Sequence, residues 1–129
     1  MIVVDTNVVA YLYLESQFTA QAEEQLRKDP DWAVPILWRS EFRNILAGAM
    51  RRKALTLGEA SQVLEEAQSL LAGNEHEVGS LQVLELVRDS DCSAYDCEFV
   101  ALARQLGVKL VTMDAKLLRA FPKLAMPLY

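Results

Sequence analysis

A three-layer α/β/α domain, built on a parallel sheet of four or five strands, is the architecture that this 129-residue sequence encodes. Short β-rich runs alternate with longer stretches of helical period, the pattern of parallel βαβ units. The first run, Ile2-Val3-Val4, is apolar without a break, as expected of a strand covered on both faces. Helix-start signals punctuate the chain: Thr6 or Asn7 after Val4, then Thr56-Leu57-Gly58-Glu59 and Ser93-Ala94-Tyr95-Asp96 in capping-box form.

In chain order, Ile2–Val4 is the first strand, and the helix after it reaches about Leu14. A second helix runs from Thr19 to Arg27 and stops before Asp29-Pro30. Trp32–Pro35 is the second strand. From Leu37 to Lys53 the spacing is helical, with Trp38, Phe42, Ile45 and Ala49 on one stripe. The Thr56 box opens a helix ending near Gly73. His76–Val78 reads as a short strand and Leu81–Val87 as a short helix. The Ser93 box opens a helix that buries Tyr95, Phe99, Leu102 and Leu106 and stops at Gly107. Val108–Thr112 is the next strand, and Lys116–Phe121 is a short helix before Pro122. Ala125–Tyr129 is an edge strand, because Pro127 removes a ladder donor.

The length suits a single domain, residues 1–129, with a sizeable core. Hydrophobic residues are 52% and charged residues 24%, which excludes a disordered chain. The net charge of −5 gives no general pull toward phosphate. A nucleic-acid role therefore needs a local basic patch or bound cations. Met1-Ile2-Val3-Val4-Asp5 lacks the basic lead of a signal peptide, and no stretch approaches the roughly 18 apolar residues of a membrane span. Cys92 and Cys97 are too few for a disulfide scaffold and lack zinc-ribbon spacing, so a cytoplasmic protein with two reduced thiols is expected.

Four acids fall where such a fold gathers ligands. In open parallel sheets the loops at the carboxyl ends of strands line the crevice. Asp5 ends the first strand, and Asp114 follows a later one. Glu41 lies at the edge of the buried face of its helix, and Asp96 lies in the first turn of another. Each has a structural explanation: a turn residue, a solvated flank, a capping-box acid, a helix N-cap. Together, two unit charges ~4 Å apart repel by about 4 kcal/mol at an effective dielectric of 20, so the group needs protons or cations. Oxygen ligands without His or Cys suit Mg²⁺ or Mn²⁺, ions that activate water in phosphodiester hydrolysis.

These residues resemble a known family. Asp5-Thr6-Asn7-Val8-Val9 after an apolar strand is similar to the opening motif of PIN domains, and Pro35-Ile36-Leu37-Trp38-Arg39-Ser40-Glu41-Phe42 to the second. The run from Ala94 to Ala103 resembles the third motif, and Leu110-Val111-Thr112-Met113-Asp114 the last. Length and compactness are similar to VapC-type toxins. The resemblance implies an Mg²⁺- or Mn²⁺-dependent ribonuclease, often a homodimer held by an antitoxin protein. It implies Asp5, Glu41, Asp96 and Asp114 as metal-binding catalytic acids, with Thr6, Asn7 and Thr112 in support. One departure is that Ala115-Lys116-Leu117 follows Asp114, where many members carry a further acid or Asn. The ligands of a second metal site are therefore incomplete in the pattern.

Lys116 and Arg119, near Asp114, are the candidate RNA contacts. Arg51-Arg52-Lys53 reads as a solvated helix end, with phosphate binding as the alternative. His76, the one histidine, has no nucleophile near it in sequence. Tyr11, Leu12, Tyr13, Leu14 and the 65–71 helix are core or, more sharply, a dimer seam or antitoxin groove. An aspartyl-phosphate phosphatase would need an acid at position 7 to protonate the leaving group, and Asn7 cannot do so. A non-catalytic module binding RNA or protein, and a stand-alone RNA-processing nuclease, are the remaining alternatives.

Overall fold

Alternation inside the short apolar runs decides how the molecule is layered. In a computed structural model describing residues 1–128, β1 (Ile2–Val4), β2 (Trp32–Pro35), β3 (Glu75–His76), β4 (Leu110–Val111) and β5 (Ala125–Met126) form one parallel sheet. Successive side chains of a strand point to opposite faces. Ile2, Val4, Trp32, Val34 and Val111 accordingly enter one core, while Val3, Ala33, Leu110 and Ala125 enter a second. Helices α1 (Thr6–Tyr13), α2 (Thr19–Lys28), α3 (Trp38–Arg51) and α4 (Leu57–Leu70) cover the first face. Helices α5 (Ser80–Arg88), α6 (Ala94–Leu106) and α7 (Ala115–Ala120) cover the second. The three-layer expectation holds, with five strands.

Strand order is β3-β2-β1-β4-β5. The chain builds outward from β1 to β3, then returns to place β4 on the other side of β1. That reversal makes the carboxyl ends of β1 and β4 a topological switch point, where crevices open in sheets of this kind. β5 is at the edge, as Pro127 requires; Tyr129 of the expected strand lies outside the described residues.

Some expectations shift. The buried stripe of α3 is Trp38, Phe42, Leu46 and Ala49, with Ile45 turned partly outward. Tyr95 is 64% exposed rather than buried. α6 lies between the sheet and α5, and its buried face centres on Cys97 and Phe99 to Ala103. Tyr11, Leu12 and Tyr13 are partly buried against the first core, and Tyr13 Oη donates to the Glu66 carbonyl at 3.3 Å. The large apolar side chains left exposed are Met1, Ile36, Leu57, Leu81, Leu84 and Tyr95. Both cysteines are free and buried. Among the described residues no helix is long and apolar enough to cross a membrane.

Candidate metal centre

Asp5, Glu41, Asp96 and Asp114 line a single cleft of about 210 Å³ at the switch point, together with Thr6, Asn7, Asn44 and Ile45. Four separate elements deliver the acids. Asp5 is the residue between β1 and α1, in extended conformation, so its side chain leaves the sheet edge. Glu41 is in the first turn of α3, and Asp96 in the first turn of α6. Asp114 links β4 to α7 as its N-cap.

Hydrogen bonds orient all four. Thr112 Oγ1 donates to Asp5 Oδ2 at 2.8 Å, and Thr6 Oγ1 donates to Glu41 Oε1 at 2.7 Å. Both threonines are buried. Asp114 Oδ1 accepts from the backbone N–H groups of Lys116 and Leu117 at 2.8 and 3.3 Å, which is the N-cap role the sequence also allowed. Asp96 is held only by its own helix cap. Ser93 Oγ accepts from the Asp96 backbone N–H at 3.1 Å, but the returning half of the expected capping box is not made. The Asp96 carboxylate lines the cleft with the Ser93 hydroxyl as its hydrogen-bond partner.

The charges are held under strain. Burial pushes the Asp5 carboxyl above its ordinary range; the Thr112 bond pulls the other way, and Asp96 and Asp114 add to the rise. Burial likewise raises Glu41 against the Thr6 bond, with Asp5, Asp96 and Glu98 adding repulsion. Asp96 rises through burial and the nearby Asp114, partly offset by Ser93 and Lys116. Lys116 is thus the cation that senses the cleft, while its Nζ donates to the Asp91 carbonyl at 3.3 Å. Arg119 is exposed on the last turn of α7, and neither it nor Lys116 lines the cleft itself. His76 lines a different hollow, beside Ile36 and Glu98.

An all-oxygen donor set of like charges, short of balancing cations, fits a hard divalent ion in its chemistry. Its arrangement is not a finished cage. Among the described residues no three acid, histidine or cysteine side chains converge closely enough to hold one ion as they stand. Asp5, Glu41 and Asp114 each accept a hydrogen bond from a hydroxyl or backbone donor, and Asp96 from Ser93, so each acid is oriented from its own side of the cleft. A larger hollow, about 510 Å³ between α5 and α6, carries Glu85, Asp89 and Arg104, whose charges offset one another.

Asn44 went unmarked in the sequence. It is an exposed amide on a helix, a position without a motif; only its spacing of three from Glu41 places it on the same face.

Comparison with known proteins agrees with this layout. Residues 2–123 match the family described as PIN domain. The chain is 32% identical to Ribonuclease VapC3 of Pyrobaculum aerophilum over 98% of both chains. Its fold is similar to that of PAE2754 from Pyrobaculum aerophilum, with a TM-score of 0.76 at 24% identity, covering 98% of this chain and 89% of that one. It is also similar to a toxin–antitoxin complex chain from Klebsiella pneumoniae, with a TM-score of 0.69 at 15% identity, covering 98% and 96%. At these identities the solved structures speak to fold alone.

Proposed function

This chain belongs to the PIN-domain family, and from that premise we propose that it is a divalent-metal-dependent endoribonuclease hydrolysing RNA phosphodiester bonds. The observation that carries the proposal is the meeting of Asp5, Glu41, Asp96 and Asp114 from four elements at one switch-point cleft. The 32% identity to a protein named a ribonuclease supports the substrate class.

Asp5, Asp96, Asp114 and Glu41 would hold Mg²⁺ or Mn²⁺. When bound, such an ion supplies a water of lowered pKa and positive charge against the phosphate. Glu41, its carboxyl raised by burial, is suited to accept a proton from the attacking water, and Thr6 fixes which of its oxygens stays free. Thr112 orients Asp5 in the same manner. Lys116, the cation at the rim, offsets phosphate charge. Asn7, exposed on the cleft lining near Asp5, supports the substrate or the ligands.

We further propose that the protein acts in the cytoplasm as the toxin of a toxin–antitoxin pair, as a homodimer held by an antitoxin protein. The names of its relatives support this over a stand-alone RNA-processing role. Light scattering of the purified chain checks the dimer. A non-catalytic module that binds RNA or protein is the alternative reading.

Two measurements separate them. Millimolar Mn²⁺ is expected to raise the melting temperature, since an ion that binds only the folded state stabilises it. Asp96→Asn is expected to abolish cleavage of single-stranded RNA, a loss of about 100-fold or more, while its circular dichroism stays unchanged. Unshifted melting together with an active Asp96→Asn variant would reject the metal centre.

A further inference from the structure

The cleft that holds the acids has a second set of side chains that the acid chemistry does not use. Thr6 and Thr112 have already given their hydroxyl hydrogens to Glu41 and Asp5, and ionised carboxylates can only accept. The side-chain donors left on the lining are the carboxamides of Asn7 and Asn44, and among the described residues neither makes a side-chain hydrogen bond. Asn7 stands next to Asp5 in the first turn of α1. Asn44 stands further out, one turn of α3 beyond Glu41, where residues three apart have Cβ atoms about 5–6 Å from each other. Ile45, the one apolar residue of the lining, is its neighbour.

We propose that Asn44 is a specificity-determining residue that reads the ribose 2′-hydroxyl of the nucleotide at the scissile phosphate, with Ile45 packing against the sugar. The inference rests on the nuclease reading above. Hydrolysis by an activated water does not consume the 2′-hydroxyl, so the acids by themselves do not separate ribose from deoxyribose. Discrimination at this site calls for a group that bonds the hydroxyl which RNA has and DNA lacks, and the lining leaves its free carboxamides for that. The 2′-hydroxyl both donates and accepts, and so does a carboxamide. A neutral amide does this without adding to the negative charge that a phosphate approaching four acids already meets. Asn44 lies one helical turn from Glu41 on the same cleft and is exposed, so it is within reach of the sugar next to a phosphate bound over the acids.

The test uses the purified full chain with Mn²⁺ and a fluorescein-labelled single-stranded RNA whose main cut has been mapped. The same oligonucleotide is then made with one 2′-deoxy nucleotide on either side of that cut. For the unaltered protein, one of the two deoxy substitutions is expected to lower kcat/KM by about tenfold, the value of one hydrogen bond. Asn44→Ala is expected to cut the all-ribose substrate about tenfold more slowly and to lose the deoxy penalty altogether. Alanine suits an exposed helix position, so the variant folds, and the ribose-to-deoxyribose ratio is a readout that a merely structural role would leave unmoved. An Asn44→Ala enzyme with the original ratio, or an Asn7→Ala enzyme that alone loses it, overturns the assignment while leaving the nuclease intact. Absence of any RNA cleavage by the unaltered protein would sink the nuclease reading, and this inference with it.

Discussion

Thr112 and Thr6 each donate a hydroxyl hydrogen to a carboxylate of the cleft, yet Asp5 and Glu41 still sit above their ordinary range. A raised folded-state pKa makes the charged form a liability to the fold. The favourable contribution is complete below the unfolded carboxylate value of about 4 and is lost as pH rises through the raised value. In EDTA, the contribution of these two acids is therefore expected to fall as pH rises from about 4 toward 7.5, with Mn²⁺ narrowing the loss; denaturant titrations across that range, compared with Asp5→Asn, check this. Asp5→Asn keeps an acceptor for Thr112 and removes the charge. It is expected to raise the melting temperature in EDTA by about 3 °C while abolishing activity, the usual exchange of stability for function at a charged site. An Asp5→Asn protein that melts lower would show that burial of the carboxylate is not the dominant cost.

Among the elements, α3, α4 and α6 show what a local signal can and cannot fix. The α4 start was legible in full: Thr56 Oγ1 accepts from the Glu59 N–H and Glu59 Oε1 accepts from the Thr56 N–H. The same four-residue pattern at Ser93 gives only half a box, because the Asp96 carboxylate lines the cleft and bonds the Ser93 hydroxyl rather than the Ser93 backbone. Ser93→Ala is expected to cost about 1 kcal/mol by calorimetry and also to lower kcat, since the cap holds the turn that presents Asp96. Thr56→Ala is expected to cost a similar amount, about 1 kcal/mol, with kcat unchanged. On α3, helical period alone left Ile45 and Leu46 interchangeable, being only about 100° apart. Packing against the sheet chose Leu46 and gave Ile45 to the cleft. Glu75 joins α3 to the edge strand β3, accepting from Trp38 Nε1 at 2.7 Å and from Arg39 at 2.6 and 2.7 Å. The Arg39 guanidinium holds its carboxyl below the ordinary range, so this stabilisation is present above about pH 4 and is lost as pH falls through the lowered value.

Across the whole molecule, the layering and the rim were readable from sequence because two periods, 2 and 3.6, alternate so regularly along the chain. Gathering of the four acids was readable as well, since strand ends converge in any parallel sheet of this type. Their detailed spacing was not, because it depends on hydroxyls and backbone donors contributed by residues far away in the chain. Asp5 and Thr112, the most separated of these, bond across 107 positions, and the central strand β1 pairs with the distant β4 on one side. Such distant pairings form late and slowly compared with local ones. A protein truncated after Gly107 lacks β4, Thr112 and Asp114, and it is expected to show neither cooperative unfolding nor Mn²⁺ binding in calorimetry. The same ordering governs synthesis, in which the N-terminal portion emerges first. On the ribosome, therefore, Asp5 and Glu41 emerge well before Thr112 and Asp114, and the four-acid cleft is assembled only after those later segments have left the exit tunnel to dock.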